Sequence, residues 1–494
     1  MISKLKTKYT SLPVQVRASL WFLVCTFMQK AISVISTPIF TRLLTTEQYG
    51  EYNVFQSWLG IITVIVTLNI SAGFFLQGMV KYEKDADVYA STMQGLTLAL
   101  CTAWTVIYFI FRGFFNPLLN LNTPQMLYML IIIWTTAAFY FWSTEQRVKY
   151  QYRLMVGIIA IVAFAQPALG VVLVIFSDAD YKATARILGI VIANLAAYSW
   201  CFFIQMKRGK KFFSKKYWIY ALKFNLPLVP HYLSQTVLYN ADRIMISRYI
   251  SESKAGIYSL AYSVAVLMTM VNASLNQTLG PWVYRKIKER KVKEIAGVEY
   301  SAMLIIAAAN ILLIMLAPEA IAIFAPPEYS EAIWVVPPVA MGMFFMFMYD
   351  MFAAFQFYFE KSWFIMLASV IGAALNIVLN YFFISPQWLN LGYMAAGYTT
   401  LICYMLYAFG HYVCMRWVCR KHLDGARAYD PKVLLGVSIC FVTAGMLLMT
   451  TYNAPILRYS LVGVLLVLMI IFRKTIIAYV KKLLSLRKSG KENE

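Results

Sequence analysis

Charged residues are scarce in this chain of 494 residues. Asp, Glu, Lys and Arg make up 13% of it, whereas soluble proteins carry about a quarter. Histidine occurs only 3 times, and the 22 acidic residues are outnumbered by 44 basic ones. So few charges cannot cover the surface of a soluble protein of this length. The composition, 61% hydrophobic with a mean hydropathy of +0.64, instead indicates an all-α polytopic membrane protein.

Motifs of the common catalytic, nucleotide and metal sites are absent. No G-x-x-x-x-G-K-[ST], H-E-x-x-H or G-x-S-x-G pattern occurs, which excludes ATP and hydrolase sites of those types. The 7 cysteines are scattered singly and predict no disulfide framework. One cluster lacks the C-x2-C spacing of structural zinc sites, so we predict neither metal nor cofactor. Its members are His411, Cys414, Cys419 and His422.

Apolar runs recur from one end of the sequence to the other. Each is about 20 residues long, enough to cross a hydrocarbon core of about 30 Å as a helix. Hydropathy places about fourteen such spans, and the loops between them are too short to hold a soluble domain. The first run is itself of spanning length, so we expect a retained helix and not a cleaved signal peptide.

Basic residues fall mainly on one predicted side of the membrane. The N-terminal tail, every second loop and the C-terminus hold most of the 44 lysines and arginines. Basic loops stay in the cytoplasm, so both termini are predicted to be cytoplasmic. The net charge of +22 is thereby explained by topology, with attraction to lipid headgroups as a consequence. Because the charge is split among short loops, we predict no nucleic-acid partner.

An internal repeat relates two parts of the chain. Residues 41–58, TRLLTTEQYGEYNVFQSW, align without gaps to residues 247–264, SRYISESKAGIYSLAYSV, at an offset of 206. The alignment pairs Arg42 with Arg248, Gly50 with Gly256, Tyr52 with Tyr258 and Ser57 with Ser263. This offset corresponds to six spans with their loops, an even number, so both copies share one orientation in the membrane.

The repeat predicts a domain organisation. We expect two parallel six-helix bundles, residues 1–206 and 207–430, as in transporters that bind substrate between repeats. A helix pair, residues 431–475, and a basic amphipathic cytoplasmic tail, residues 476–494, complete the prediction.

The first and seventh spans are equivalent in the repeat, and each carries polar residues along one face. An arc of about 80° holds His231, Gln235, Tyr239 and Asp242 in the seventh span, and Thr26, Lys30, Ser33, Thr37 and Thr41 in the first. Lipid cannot solvate such faces, so they are predicted to line the bundle interior or a watered cavity.

Four cations receive roles in this hypothesis. Lys30 and Arg243 would hold an anionic group inside the cavity, and Arg42 and Arg248 would lie at its outer rim. The sequence leaves an alternative open, in which the charged residues pair with neighbouring helices and the hydroxyls only bond helix to helix.

The remaining candidates are uncharged residues and carboxylates. Asn272 is predicted as polar cavity lining, together with Ser33 and Thr37. Asp242 and Asp350 are embedded carboxylates and are the candidates for a coupling ion.

At TPIFTRLLTTEQYGEYNVFQSW, and again at NADRIMISRYISESKAGIYSLAYSV, the sequence resembles the polysaccharide flippases. These form the O-antigen (Wzx-type) branch of the multidrug/oligosaccharidyl-lipid/polysaccharide superfamily. The shared pattern is a span ending in arginine, a short turn, an (A/Y)-G-x-Y step and the next span. The second copy is preceded by Asp242 and Arg243.

The resemblance implies a V-shaped transporter in the bacterial cytoplasmic membrane. Such a protein moves an undecaprenyl-pyrophosphate-linked oligosaccharide from the inner to the outer leaflet for assembly of surface polysaccharide such as lipopolysaccharide O-antigen. It also implies cationic residues that meet the pyrophosphate and sugar acids in the central cavity, for which Lys30 and Arg243 are the candidates by position.

Other functions stay open at this point. The same fold could serve an ion-coupled antiporter of drugs or metabolites, with a cavity dominated by carboxylates. A polysaccharide polymerase or glycosyltransferase would need catalytic groups in a sizeable loop, which the sequence lacks, so we do not predict an enzyme. A channel or scaffold is the last alternative. The predicted partners are the lipid-linked oligosaccharide and membrane lipids, with a polysaccharide polymerase and a chain-length regulator as candidates.

Overall fold

The computed structural model describes residues 13–71 and 74–471 together with Arg473. Over these residues the secondary structure is helical, with no strand, and the all-α prediction is confirmed. The predicted cytoplasmic tail, residues 476–494, lies outside the described residues.

The chain forms two compact units, one ending at Asn240 and the other beginning at Ala241. The first unit contains α1 (Val14–Leu43), α2 (Thr46–Thr67), α3 (Phe74–Lys81), α4 (Ala86–Ile110), α5 (Arg112–Leu119), α6 (Thr123–Val148), α7 (Tyr152–Phe176), α8 (Lys182–Gly209) and α9 (Lys215–Asn225). Helix α10 (Val229–Tyr249) contains the boundary between the units.

The second unit continues with shorter and longer helices in turn. They are α11 (Glu252–Ala265), α12 (Leu267–Lys288), α13 (Lys293–Met315), α14 (Ala317–Phe324), α15 (Val336–Tyr358), α16 (Ser362–Ile384), α17 (Ala395–His422), α18 (Pro431–Met449) and α19 (Pro455–Ile471). The domain borders predicted at residues 206 and 430 come from the sequence repeat alone and stay predictions.

Helix length and composition fit a membrane protein. Within the described residues, 10 helical segments are long and apolar enough to cross a membrane, and Pro455–Val467 is a shorter apolar helix. Helices α2, α10 and α17 have 22, 21 and 28 residues, but their polar residues keep them outside that group. The predicted number of about fourteen spans therefore stays a prediction.

The internal repeat is visible in the helix ends. Helix α1 ends at Leu43 and α10 at Tyr249, the same offset of 206 that the sequences show. The next helices are capped by equivalent hydroxyls, because the side chains of Thr45 and Ser251 each accept a hydrogen bond from the backbone N–H three residues further on. Such a cap satisfies one of the free N–H groups of the first helical turn. The sequence repeat therefore corresponds to equivalent local structure at this turn, and the parallel orientation of its copies stays a prediction.

The same offset recurs in the interior of each unit. Gln205 on α8 donates to Glu145 Oε2 on α6 at 2.7 Å. His411 on α17, 206 residues later, has its Nδ1 3.0 Å from Gln356 Oε1 on α15. Each unit thus joins one equivalent pair of helices through a buried polar contact.

Glycine permits a close contact between α7 and α8. A Cβ atom on Gly189 would lie 2.6 Å from the backbone nitrogen of Gly170 and 2.8 Å from its Cα. Only a residue without a side chain fits there, and close backbone approach gains the van der Waals contact that stabilises helix packing in lipid. These glycines therefore fix the position of α8, which carries Gln205.

Glu145 gathers three donors at the end of α6. Its side chain is fully buried and accepts from Lys149 Nζ at 2.6 Å, Arg208 Nη2 at 2.6 Å and Gln205 Nε2 at 2.7 Å. Asp87 on α4 lies 3.7 Å from Lys149 and 3.9 Å from Arg208. This network ties α4, α6 and α8 together.

Glu331 lies in the segment Pro327–Trp334, outside the spanning helices, and joins it to the start of α11 and to the loop before α17. Its Oε2 accepts from Lys254 Nζ at 2.6 Å and from the Tyr393 hydroxyl at 2.7 Å. These two donors, Lys254 foremost, hold the pKa of Glu331 below its usual range.

We expect Glu331 to make part of the protein's stability depend on pH. A lowered carboxyl pKa stabilises the fold above the unfolded-state pKa, and this is lost as pH falls through the folded-state value. Because the side chain is 47% exposed, the effect should be at most about 1 kcal/mol. Thermal unfolding in detergent between about pH 7 and pH 3 checks this, since the wild-type midpoint should approach that of Glu331→Gln in acid. If the unfolding midpoints of wild type and Glu331→Gln differed by the same amount at every pH, the assignment to Glu331 would be wrong.

Candidate functional site

A buried carboxylate, Asp242, lies at the centre of a polar cluster in the second unit. Its side chain is 1% exposed. Oδ1 accepts from Asn380 Nδ2 at 2.6 Å and from Asn376 Nδ2 at 3.1 Å. Oδ2 accepts from the hydroxyls of Tyr258 and Thr400, each at 2.6 Å. Four neutral side chains therefore satisfy both oxygens of one embedded carboxylate.

Helix periodicity explains how these groups meet. Asp242 lies on the buried face of α10, one residue after Ala241 and one turn before Ile246. On α16, Asn376 and Asn380 are four residues apart and so project from one face, and both are fully buried. Tyr258 comes from α11 and Thr400 from the first turns of α17. Four helices thus contribute to the cluster.

The four partners of Asp242 are oxygen-bearing groups as well as donors. Each donates in the present arrangement, but each also carries an oxygen that can accept. The Asn380 oxygen accepts from the Thr399 hydroxyl, and the Asn376 oxygen from Asn380 Nδ2 at 3.3 Å. Oxygen ligands of this kind suit small hard cations. At 1% exposure Asp242 itself is closed to a sugar headgroup.

Arg243, the neighbour of Asp242, faces a different environment. It is half-buried, and its guanidinium carbon lies 4.3 Å from the centre of the Tyr262 ring. Consecutive helical residues point about 100° apart, so the two charges are held by separate surroundings. A cation over an aromatic face is stabilised by the electrons of the ring.

Lys30 remains exposed on α1 in the first unit. It forms no hydrogen bond or ion pair with another described residue. One turn on, the Thr37 hydroxyl donates to the carbonyl of the exposed Ser33 at 2.9 Å, within the same helix. The polar face of α1 thus presents the ammonium group of Lys30, which has no partner among the described residues. Of its hydroxyls, that of Thr37 is satisfied by the backbone of the same helix.

The other residues of the predicted stripe on α10 differ from Asp242 in burial. His231, Gln235 and Tyr239 are all half-buried, and they precede the boundary at Asn240. Among the described residues, the Nδ1 atom of His231 is buried without a hydrogen-bond partner. Only Asp242 of this stripe belongs to the cluster.

The predicted rim arginines occupy equivalent helix ends. Arg42 is exposed at the end of α1, and its Nη1 donates to the carbonyl of Pro38 at 2.9 Å. Arg248 is exposed at the end of α10. Asn272, by contrast, is 3% exposed and donates to the carbonyl of Met343 at 2.9 Å. A substrate could reach Asn272 only after a movement of α12 or α15.

Asp350 forms a second embedded carboxylate site. It is half-buried on α15, and its Oδ2 accepts from Asn276 Nδ2 on α12 at 2.5 Å. This carboxylate has fewer donors than Asp242 and is more exposed. Among the residues that the structure describes, no group of three or more His, Cys, Asp or Glu is arranged to hold a metal ion.

Sequence reasoning found Asp242 but not its partners. The signal that could have found them is the pair Asn376 and Asn380 in the otherwise apolar segment ALNIVLNYFF. Two amides one turn apart in such a helix must meet polar partners within the protein.

The model of one protein family, described as polysaccharide biosynthesis protein, matches residues 16–286. The chain belongs to this polysaccharide biosynthesis family. The resemblance stated from the sequence is thereby confirmed at the level of this family, and the apolar helices fit a multi-pass membrane protein.

Two relatives from Haemophilus influenzae are similar to the family member over part of its length. A protein of the Lsg locus is 25% identical over 293 residues, which cover 56% of this chain and 67% of the relative. An uncharacterized membrane protein is 22% identical over 291 residues, covering 55% of this chain and 66% of that relative.

Solved structures of two transporters share the fold of this family member. The lipid II flippase MurJ in an inward closed conformation is 13% identical, with a TM-score of 0.67 over 92% of this chain and 100% of that chain. An inward-facing multidrug resistance transporter of the MATE family is 14% identical, with a TM-score of 0.58 over 81% and 96%. At this identity the likeness shows the fold alone.

Proposed function

We propose that this polysaccharide-family protein is a flippase for an undecaprenyl-pyrophosphate-linked oligosaccharide. It moves the headgroup from the inner to the outer leaflet of the bacterial cytoplasmic membrane by alternating access, for assembly of surface polysaccharide. The observation that carries the proposal is the family match together with Lys30, which has no ion pair among the described residues and lies on the polar face of a spanning helix. A charge so placed is costly in lipid and implies an anionic or aqueous surrounding.

The recognition step rests on Lys30, with Arg243 as a second cation. Lys30 has no ion pair among the described residues, so it can bind a pyrophosphate or sugar acid without first breaking a salt bridge. Arg243 lies against the Tyr262 ring. The half-buried His231, Gln235 and Tyr239 would contact uncharged sugar groups.

The energy for net movement would come from a cation bound at Asp242. The sequence has no nucleotide motif of the P-loop type. A cation entering the cluster would exchange the four present donors for oxygen ligands on α10, α11, α16 and α17. Such a change biases one conformation of the second unit over another, as coupling requires. Asp350, with its single amide donor, is the second carboxylate proposed for this role.

Transport of two substrate classes in parallel tests the proposal. Purified protein in proteoliposomes would be given a fluorescent pyrophosphate-linked oligosaccharide lipid and, separately, a fluorescent organic cation. We expect transfer of the lipid between leaflets and no transport of the organic cation above protein-free vesicles. Transport of the organic cation alone would identify an antiporter and overturn the proposal.

Lys30→Ala is expected to slow lipid transfer by roughly ten- to a hundredfold. The reason is the loss of one charge-assisted contact to the anionic headgroup, worth about 1.5–3 kcal/mol. Lys30→Arg keeps the charge and should retain most of the activity. Lys210→Ala, which removes an exposed lysine outside the stripe, is the matched control. An equal loss in both alanine variants would contradict a specific role for Lys30.

The orientation and partners belong to the same proposal. Both termini would be cytoplasmic, as the distribution of basic residues predicts. A polysaccharide polymerase and a chain-length regulator would receive the transferred lipid on the outer side. Labelling of single cysteines introduced at Lys210 and Asp178 checks the orientation. In intact cells an impermeant reagent should label the cysteine at position 178, on the outer side, and not the one at position 210, on the cytoplasmic side.

A further inference from the structure

An apolar groove crosses the surface of the second unit where α15, α17 and α18 meet. It has a volume of about 380 Å³. Buried side chains, among them Phe345, Met348 and Leu434, form its floor, and the exposed Phe409 and Leu435 form its walls. The Ser438 hydroxyl in the lining donates to the Met348 sulfur at 3.7 Å, so its proton is already engaged. The groove therefore suits a hydrocarbon chain.

One end of the groove is strongly basic. On α17 the lining residues Met405, Phe409 and Tyr412 continue into Arg416, and all four fall within an arc of about 60°. Arg416 donates to the carbonyl of Ala426, in the loop that leads to α18, at 3.2 Å. The basic end thus lies directly beyond the apolar lining.

The charges at this end are mostly positive. The basic residues are Arg416, Arg420, Lys421, Arg427 and Lys432, and the acidic residues are Asp424 and Asp430. Asp424 is paired with Arg290 at 2.6 Å, and Asp430 caps α18 by accepting from the backbone of Lys432 at 2.8 Å. The charge of Asp424 is thus balanced by Arg290, and the five basic residues outnumber the one remaining acid, Asp430, which leaves an excess of cations for a ligand.

We propose that this groove binds an anionic phospholipid of the bilayer, with one acyl chain between α15, α17 and α18 and its phosphate beside Arg416 and Lys432. An apolar slot followed by cations matches an amphiphile with a negative head. The chain's own basic C-terminal segment, RKTIIAYVKKLLSLRKSGKENE, carries charge of the same sign as this end and is disfavoured as an occupant. The site is separate from the Asp242 cluster and from Lys30.

Native mass spectrometry of the full chain in detergent, with phosphatidylglycerol or phosphatidylcholine added, tests the headgroup preference. We expect wild type to retain phosphatidylglycerol over phosphatidylcholine by at least about tenfold, since each cation near a phosphate contributes binding energy. The double variant Arg416→Gln with Lys432→Gln should reduce this preference by about tenfold, so that both lipids are retained nearly equally. The control variant Lys210→Gln with Lys211→Gln removes two exposed basic charges from the first unit and should leave the preference for phosphatidylglycerol unchanged. Equal retention of both lipids by wild type would overturn the proposal.

The acyl-chain site is tested by filling the groove. Leu435→Trp should lower bound phosphatidylglycerol by about tenfold, because the larger side chain occupies the slot. Leu447→Trp replaces an equally exposed leucine on the same helix, outside the groove, and should have no effect. The same loss in both variants would contradict the assignment.

Photo-crosslinking to wild type does not depend on any variant folding. Phosphatidylglycerol with a photoreactive acyl chain should label residues of α15, α17 and α18, and labels confined to other helices would overturn the proposal. Undecaprenyl phosphate is added as competitor in a second sample. If it displaces phosphatidylglycerol at equal concentration, the groove is a carrier-lipid site and the assignment to a bilayer phospholipid is wrong.

Discussion

Asp242→Asn is expected to slow lipid-linked oligosaccharide transfer by about a hundredfold or more. The substitution removes the negative charge and replaces one acceptor oxygen by an NH2 group that faces donors. In the structure each oxygen of Asp242 accepts two hydrogen bonds, so the amide leaves two donors without an acceptor. Hydrogen bonds to a charged group are worth about 1.5–3 kcal/mol each, enough for this loss of rate.

Folding and coupling must be separated in the same experiment. Asp178→Asn, at an exposed loop of the first unit, is the matched control and should transport as wild type does. Small cations should raise the unfolding midpoint of wild type, because they bind the folded state, and should leave that of Asp242→Asn unchanged. Transfer at the wild-type rate by Asp242→Asn would show that the cluster serves packing and not transport.

Glu145→Gln is expected to lower the free energy of unfolding by about 1–3 kcal/mol. The neutral amide no longer compensates Lys149 and Arg208, and it can accept from only one oxygen. Both cations are 35% exposed, so water offsets part of the lost charge, while the buried contacts of Glu145 are lost in full. Asp87 is 3.7 Å or more from both cations and cannot replace the lost contacts.

Chemical unfolding in detergent micelles measures this effect. Glu83→Gln changes an exposed glutamate at the start of the same unit and should shift the free energy of unfolding by less than about 0.5 kcal/mol. If Glu145→Gln were as stable as wild type, the three short contacts of Glu145 would contribute nothing to folding. The transport proposal would be unaffected by that result.

The sequence predicted the features that depend on the chain alone. Apolar runs of spanning length predicted the helices, and the repeat of 41–58 at 247–264 predicted the shared turn that Thr45 and Ser251 cap. Helix periodicity also identified α10 as polar along one side. These inferences needed only the spacing of residues within one segment.

Contacts between helices could not be predicted in the same way. An arc of about 80° grouped Asp242 with His231 and Gln235, yet the structure buries Asp242 and leaves the other two half-buried. An arc of that width can contain two environments, and the packing of α11, α16 and α17 decides which residue lies in which. Three of the four donors to Asp242 lie 134 to 158 residues further along the chain, and no local sequence pattern reaches that far.

The central claim is that Lys30 on the spanning helix α1 binds an anionic headgroup as it crosses the membrane. Transfer rates of two lipids in the same proteoliposomes test it most directly, one with a pyrophosphate between polyprenyl chain and oligosaccharide, the other with a neutral linkage. The account predicts that the wild type transfers the pyrophosphate lipid at least about tenfold faster, and that Lys30→Ala narrows the difference. Equal transfer of both lipids, or of neither, would contradict it.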